Sequence, residues 1–321
     1  MTGWRQRWGG LFGGRATPAR AERTAPPGVP AEAAVAIAVD EEVALAEPSV
    51  DVGLRDALFD WVTGTASTLS DVTLDGERRL LARMDAVLAS ADSRAALLPR
   101  APAVIPQLLN SLRNEGESIA SLAERVMRDP HLVAEVIRLS NSAQAAAAEP
   151  IVDISHAIAR IGTSGLRRAI ARVVLKPMFG GSADTLSARS APRLWEHTEA
   201  LATACQREAV ARGLDPFEGY LAGLMHDVGW TAALRAIDRC QSGMAGPFSR
   251  AFVAEFEPRR ERFFALLVIP WRLTAGLTAL GIALRDGDLA GSPLGEALRA
   301  ANLRAARQVL ASSLRPAMPP A

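Results

Sequence analysis

The stretch YLAGLMHDVG, from Tyr220 to Gly229, restricts the folds open to this chain more than any other. Its Ala/Leu run reads as a helix that is apolar on all sides, ending in an adjacent His226–Asp227 pair before Val228 and Gly229. The apolar pattern places both polar side chains in an interior. There an unpaired polar group costs roughly 1–3 kcal/mol, and an unpaired charge more. Whatever packs around this stretch must supply partners for an imidazole and a carboxylate, and the identity of those partners separates an enzyme from a scaffold.

The surrounding sequence can supply them from helices. Hydrophobic residues make up 49% of the 321 positions but aromatics only 5%, so alanine and leucine carry the apolar content. Ala, Leu and Arg are the strongest helix formers, and the β-branched alternation of strands is scarce. The expected class is all-α. A net charge of +1 sets up no global field for nucleic acid or anionic lipid. Nearly all the bases are arginines; Lys176 is the only lysine. Two cysteines, Cys205 and Cys240, are too few for a disulfide framework and predict a cytoplasmic protein, as does a start without a signal-peptide core. The most apolar late stretch, Phe263 to Leu284, is interrupted by Pro270 and Arg272, which predicts two buried helices rather than a membrane span.

Taken in order, residues 1–50 read as a disordered tail and acidic linker, with too little aliphatic periodicity to offset ordering entropy. Within it Trp4, Trp8 and Phe12 fall at helical spacing among arginines, a weak candidate for peripheral membrane contact through residues 1–20, although four glycines argue against a stable helix. Residues 54–93 read as a small helical subdomain, a pair of amphipathic helices. The main helical domain is expected over 97–284, a C-terminal helix packing on it over 285–312, and a tail over 313–321. In the main domain Pro102 and Pro106 mark a helix start, and Asp129-Pro130 and Asp215-Pro216 each pair a capping carboxylate with a proline at the first helical position. A Gly/Ser/Asp linker over 180–190 divides the domain into two halves, the second opening at Pro192. In the first half Gly162 and Gly165 bracket a turn, after which Arg168, Arg172 and Lys176 repeat every four residues. Such a stripe could meet DNA phosphates, but without an aromatic or Asn/Gln reading face it is read as a solvated face, and nucleic acid is not the expected partner.

His197 stands about 14 residues before the turn at Gly213–Pro216 and His226 about 10 after it, roughly 21 and 15 Å at ~1.5 Å rise per residue. In an antiparallel hairpin His197, His226 and Asp227 therefore converge, three potential metal ligands and the minimum for a catalytic site. The W-x-H of Trp195 and His197, followed by YLAGLMHDVG, resembles the His…His-Asp core of the HD metal-dependent phosphohydrolase superfamily. LPRAPAVIPQLLNSLR, RDPHLVAEVIRLSNS and HAIARIGTSGLRRAIARVVLKPMF are similar to blocks of the HDOD family, its signalling variant, over roughly Leu97 to Leu284. The resemblance implies an HD-like all-helical bundle, a role in bacterial cytoplasmic signalling, and usually no catalysis. The chain also departs from the hydrolases. Where they close the metal site with an Asp on a late helix, Asn302 stands here in ALRAANLRAA. No histidine follows His226, and Leu280-Gly281 stand where relatives often carry paired histidines. A neutral Asn carbonyl is a poorer ligand than a carboxylate for a hard cation.

The resulting expectation is a non-catalytic signal-transduction or regulatory module without cofactor, binding an unidentified signalling protein or small ligand, with His197, His226 and Asp227 as a hydrogen-bonded pin between helices. The alternative is a divergent metal-dependent phosphohydrolase acting on a nucleotide or phosphodiester, with a divalent metal on the same residues.

Overall fold

The helical composition produces helices throughout. In the computed structural model, residues 52–98, 101, 126–127, 130–142, 153–180, 184–240 and 246–314 are described. The helices are α1 (Val52–Thr63), α2 (Asp75–Ala89), α3 (Ala91–Leu97), α4 (Pro130–Ser142), α5 (Ile154–Leu175), α6 (Leu186–Ala211), α7 (Pro216–His226), α8 (Val228–Asp238), α9 (Arg250–Val268), α10 (Ala275–Asp286) and α11 (Pro293–Ser313). Among the described residues there is no strand, only an isolated bridge between Thr68 and Ser249. The tail with Trp4, Trp8 and Phe12, the start at Pro102 and Pro106, and the cap at Asp129 lie outside the described residues.

Two apolar cores organise the bundle. A small one joins α4 and α5 through Leu132, Val136, Ile158 and Leu166. The large one takes side chains from α1 to α3, the C-terminal end of α5, and α6 to α11. The expected separate subdomain over 54–93 is therefore corrected. Phe59 of α1 sits 5.2 Å from Phe256, 5.5 Å from Phe248 and 5.8 Å from Trp230. Glu77 of α2 is buried and accepts from Ser249 N and Oγ at 2.6 Å each. A helical pair of ~40 residues buries too little surface to stand alone, so its apolar stripe merges with the neighbouring core.

Helix boundaries follow their caps. Gly162 adopts φ 65°, which kinks α5 at the turn the sequence predicts. Asp215 accepts from the N–H of Phe217 at 2.6 Å, with Pro216 opening α7. α6 begins at Leu186, six residues before the Pro192 expected to open it. Its cap comes from two sources: Thr185 Oγ1 accepts from Ala188 N, and the distant Asp238 carboxylate accepts from Leu186 N at 2.8 Å and Ser187 N at 3.2 Å. After α9, Arg272 turns the chain with a left-handed φ of 48°, separating α9 from α10 as Pro270 and Arg272 predict. No helix among the described residues is long and apolar enough to cross a membrane.

Candidate functional site

The α6–α7 hairpin brings the His and Asp side chains together because two glycines let the helices touch. A Cβ at Gly223 would lie 2.7 Å from Ala202 Cα and Leu201 O, and one at Gly219 2.5 Å from Ala209 Cβ. At this separation α7 delivers His226 and Asp227 against the middle of α6. Asp227 is fully buried, and its Oδ2 accepts from His197 Nδ1 at 2.8 Å. Thr198 Oγ1 lies 2.8 Å from both Asp227 Oδ2 and Leu194 O, sharing its single proton between them. The other carboxylate oxygen, Oδ1, is 3.7 Å from His226 Nδ1. The predicted convergence of His197, His226 and Asp227 is what the helices form.

A fourth group completes the cluster, and sequence reasoning missed it. Gly229, two residues past Asp227, lets α9 approach so closely that a Cβ there would meet Arg260 O at 2.4 Å and Phe264 Cβ at 2.9 Å. This contact places the Arg260 guanidinium, 1% exposed, inside the cluster. Its Nη1 donates to His226 Nε2 at 3.3 Å, its Nε donates to Glu257 Oε2 at 2.9 Å, its Nη2 pairs with Glu257, and the guanidinium lies 5.5 Å from the Trp230 ring centroid. The available signal was its register: Arg260 follows Phe256 by four residues and precedes Phe263 and Phe264 by three and four, on the apolar stripe of α9. A guanidinium cannot accept a hydrogen bond, so His226 Nε2 is the acceptor in this contact.

Electrostatics follow from these neighbours. Burial alone would raise the Asp227 carboxyl, but the His197 charge and hydrogen bond, with the His226 imidazole close by, outweigh it and hold the group well below the usual carboxylate range. Burial likewise opposes the charge on Arg260, yet Glu257, then Glu261 and Asp227, raise it above its ordinary value. Glu257, half-buried against this cation, is lowered in turn. Cys205, buried on the same helix as His197, is pushed up to about 12 by burial and is a thiol, not a nucleophile.

Whether these residues could hold a divalent ion turns on the donor set. Asp227 Oδ2 is committed to His197 and Thr198, and His226 Nε2 faces a guanidinium whose full positive charge would repel a second cation. Asn302 Oδ1 on α11 is buried without a hydrogen-bond partner. Among the described residues no group of three His, Cys, Asp or Glu side chains is arranged to hold a metal. In this arrangement a guanidinium stands at His226 Nε2, while His197 Nε2, His226 Nδ1 and Asp227 Oδ1 are buried without hydrogen-bond partners.

In the stripe of Arg168, Arg172 and Lys176 the two arginines are partly buried, while Lys176 is exposed. Arg172 Nε lies 2.9 Å from Glu135 Oε1, Arg172 also pairs with Glu199, and its guanidinium and the Lys176 ammonium lie 5.5 and 5.6 Å from the Trp195 ring centroid. Arg168 Nη1 donates to Gln206 Oε1 at 3.0 Å, and its guanidinium lies 5.9 Å from the Tyr220 ring centroid. The two arginines thus lie against α6 and α7.

A family model for the HDOD domain matches residues 98–256. This stretch of the chain belongs to the HDOD family. The HDOD match contains His197, His226 and Asp227, and it stops short of Glu257 and Arg260, so the cation in the cluster is supplied from just beyond it. A crystal structure from Shewanella amazonensis SB2B, of a protein provisionally called a metal-dependent phosphohydrolase, is similar at a TM-score of 0.51 and 16% identity, covering 74% of this chain and 99% of that one. At that identity the likeness concerns the fold. An HDOD domain protein of unknown function from Geobacter sulfurreducens is similar at a TM-score of 0.44 and 21% identity, covering 65% of this chain and 78% of that one. An uncharacterized protein of Treponema pallidum (strain Nichols) is 22% identical over 180 residues, and this chain spans 34% of its length.

The close approach at Gly229 is testable. Gly229→Ala should destabilise by about 1–3 kcal/mol, because the added methyl meets backbone that cannot rotate away. Urea unfolding measures it, and a loss under about 0.5 kcal/mol would mean that α8 and α9 are not held this close.

Proposed function

We propose that the protein is a non-catalytic regulatory module that works by binding, with the His-Asp cluster as an internal fastener of α6, α7 and α9. The observation that carries this is Arg260: a buried, ion-paired guanidinium stands at His226 Nε2, where a hydrolytic centre would need an open ligand position. The burial of His197, His226, Asp227 and Arg260 supports this reading. The two unpaired thiols, Cys205 and Cys240, fit a reducing cytoplasm.

A second reading has its own support. His197 Nε2, His226 Nδ1 and Asp227 Oδ1 are buried without hydrogen-bond partners, and all three are atoms of the kind that ligate metals. Under that reading the protein is a divergent metal-dependent phosphohydrolase. Elemental analysis of the purified full chain, with a phosphatase and phosphodiesterase screen in Mn²⁺, separates the two. The binding-module reading expects substoichiometric metal and no turnover above that of His226→Ala. Stoichiometric metal that His226→Ala removes, together with turnover, would overturn it.

A further inference from the structure

A cavity of about 400 Å³ opens between the α4–α5 half and the helices α6, α7 and α11. Five arginines line it, Arg138, Arg168, Arg172, Arg207 and Arg304, against two glutamates, Glu196 and Glu199. Several of these cations are balanced locally. Glu135 reaches Arg138 at 2.7 Å and Arg172 at 2.9 Å, Glu199 pairs with Arg172, and Glu208 reaches Arg304 at 2.6 Å while also pairing with Arg212. Arg168 differs. The hydrogen bond of its guanidinium is to the neutral Gln206 carbonyl, and its Nε is buried with no hydrogen-bond partner. A buried N–H donor left unmade is costly, and a guanidinium beside a cavity with an unused donor suits an anionic acceptor. Arg207 is exposed at the wall of the same cavity. Burial keeps the Tyr220 hydroxyl protonated, so the ring beside Arg168 adds no negative charge.

We infer that this cavity binds a phosphorylated small molecule of about nucleotide size, with a phosphate on Arg168 and Arg207 and the remainder against Tyr220. The planar guanidinium fork matches phosphate oxygens in pairs, which favours phosphate over a lone carboxylate. The volume exceeds what inorganic phosphate needs and falls within the ~300–1,000 Å³ range of ligand pockets. Because its walls come from both helical halves, an occupant would tie α4 and α5 to α6, α7 and α11, which gives a binding module a means of response. The inference rests on the reading of the protein as a binding module.

Isothermal titration of the full chain with ADP, GDP, pyrophosphate and inorganic phosphate tests it. At least one nucleoside diphosphate should bind more tightly than inorganic phosphate, with affinity falling as salt rises. Arg168→Gln should weaken that binding about tenfold, Arg207→Gln, on an exposed side chain that folding does not need, should also weaken it, and Arg262→Gln on exposed α9 surface should leave it unchanged. No binding tighter than about 1 mM by any of the four probes, binding no tighter for the nucleotides than for inorganic phosphate, or binding indifferent to both substitutions would overturn the inference. Hydrolysis of a bound probe in Mn²⁺ would instead overturn the binding-module reading, so the two failures are told apart.

Discussion

Arg260→Ala should destabilise the bundle by about 3–5 kcal/mol, the loss expected when one partner of a buried ion pair is removed. The guanidinium satisfies three groups at once. It pairs with Glu257, donates to His226 Nε2 and lies over Trp230. Without it a half-buried carboxylate loses its counter-charge, a buried imidazole nitrogen loses its donor, and a void opens beside Trp230 and Phe264. The ion pair itself need not be net stabilising, since desolvating two charges offsets most of their attraction. Arg260→Met combined with Glu257→Leu should therefore recover much of what Arg260→Ala loses, up to the His226 hydrogen bond that neither replacement restores. Urea midpoints at pH 7, with slopes compared to exclude a change in the unfolded state, measure both. A loss for Arg260→Ala under about 1 kcal/mol would show that the guanidinium is solvated, and the proposed fastener would fail with it.

That Arg260 escaped the sequence reading while His197, His226 and Asp227 did not has a physical cause. The trio is set by local rules: helical rise on either side of a turn marked by Gly213 and Asp215-Pro216 fixes how far along the hairpin each residue sits. Arg260 arrives through a helix–helix contact that depends on Gly229 having no side chain, and its Arg-rich neighbourhood, PRRERFF, reads as surface unless its register with Phe256, Phe263 and Phe264 is followed. The stripe Arg168, Arg172 and Lys176 illustrates the same ambiguity from the other side. Spacing identifies a face but not what covers it, and arginines laid over Trp195 and Tyr220 have the same periodicity as arginines in water. The all-α class and the Pro270–Arg272 break between α9 and α10 were legible because composition and backbone chemistry decide them. The start of α6 was not, since part of its cap is Asp238, 52 residues away from Leu186.

Asp227→Asn should cost about 2–4 kcal/mol at pH 7, and the difference from the native chain should shrink as the solution is acidified. The sign follows from the direction of the shift. Asp227 is held below its unfolded value of 3.8, so its ionisation contributes stability above that pH, and this contribution is lost as pH falls from there toward the lower folded value. Asparagine does not titrate, so its variant lacks the contribution at every pH. Urea midpoints of the two chains should stay a constant distance apart from pH 7 to about pH 5 and draw together below about pH 4. Thr198→Val gives the complementary measurement. It removes a neutral hydroxyl 2.8 Å from Asp227 Oδ2 and should cost about 1 kcal/mol with little pH dependence between pH 5 and 7. If the gap between native chain and Asp227→Asn stayed unchanged down to pH 3, the carboxyl would not be held ionised by His197. The cluster would then hold Asp227 through contacts that do not distinguish its ionised from its protonated form.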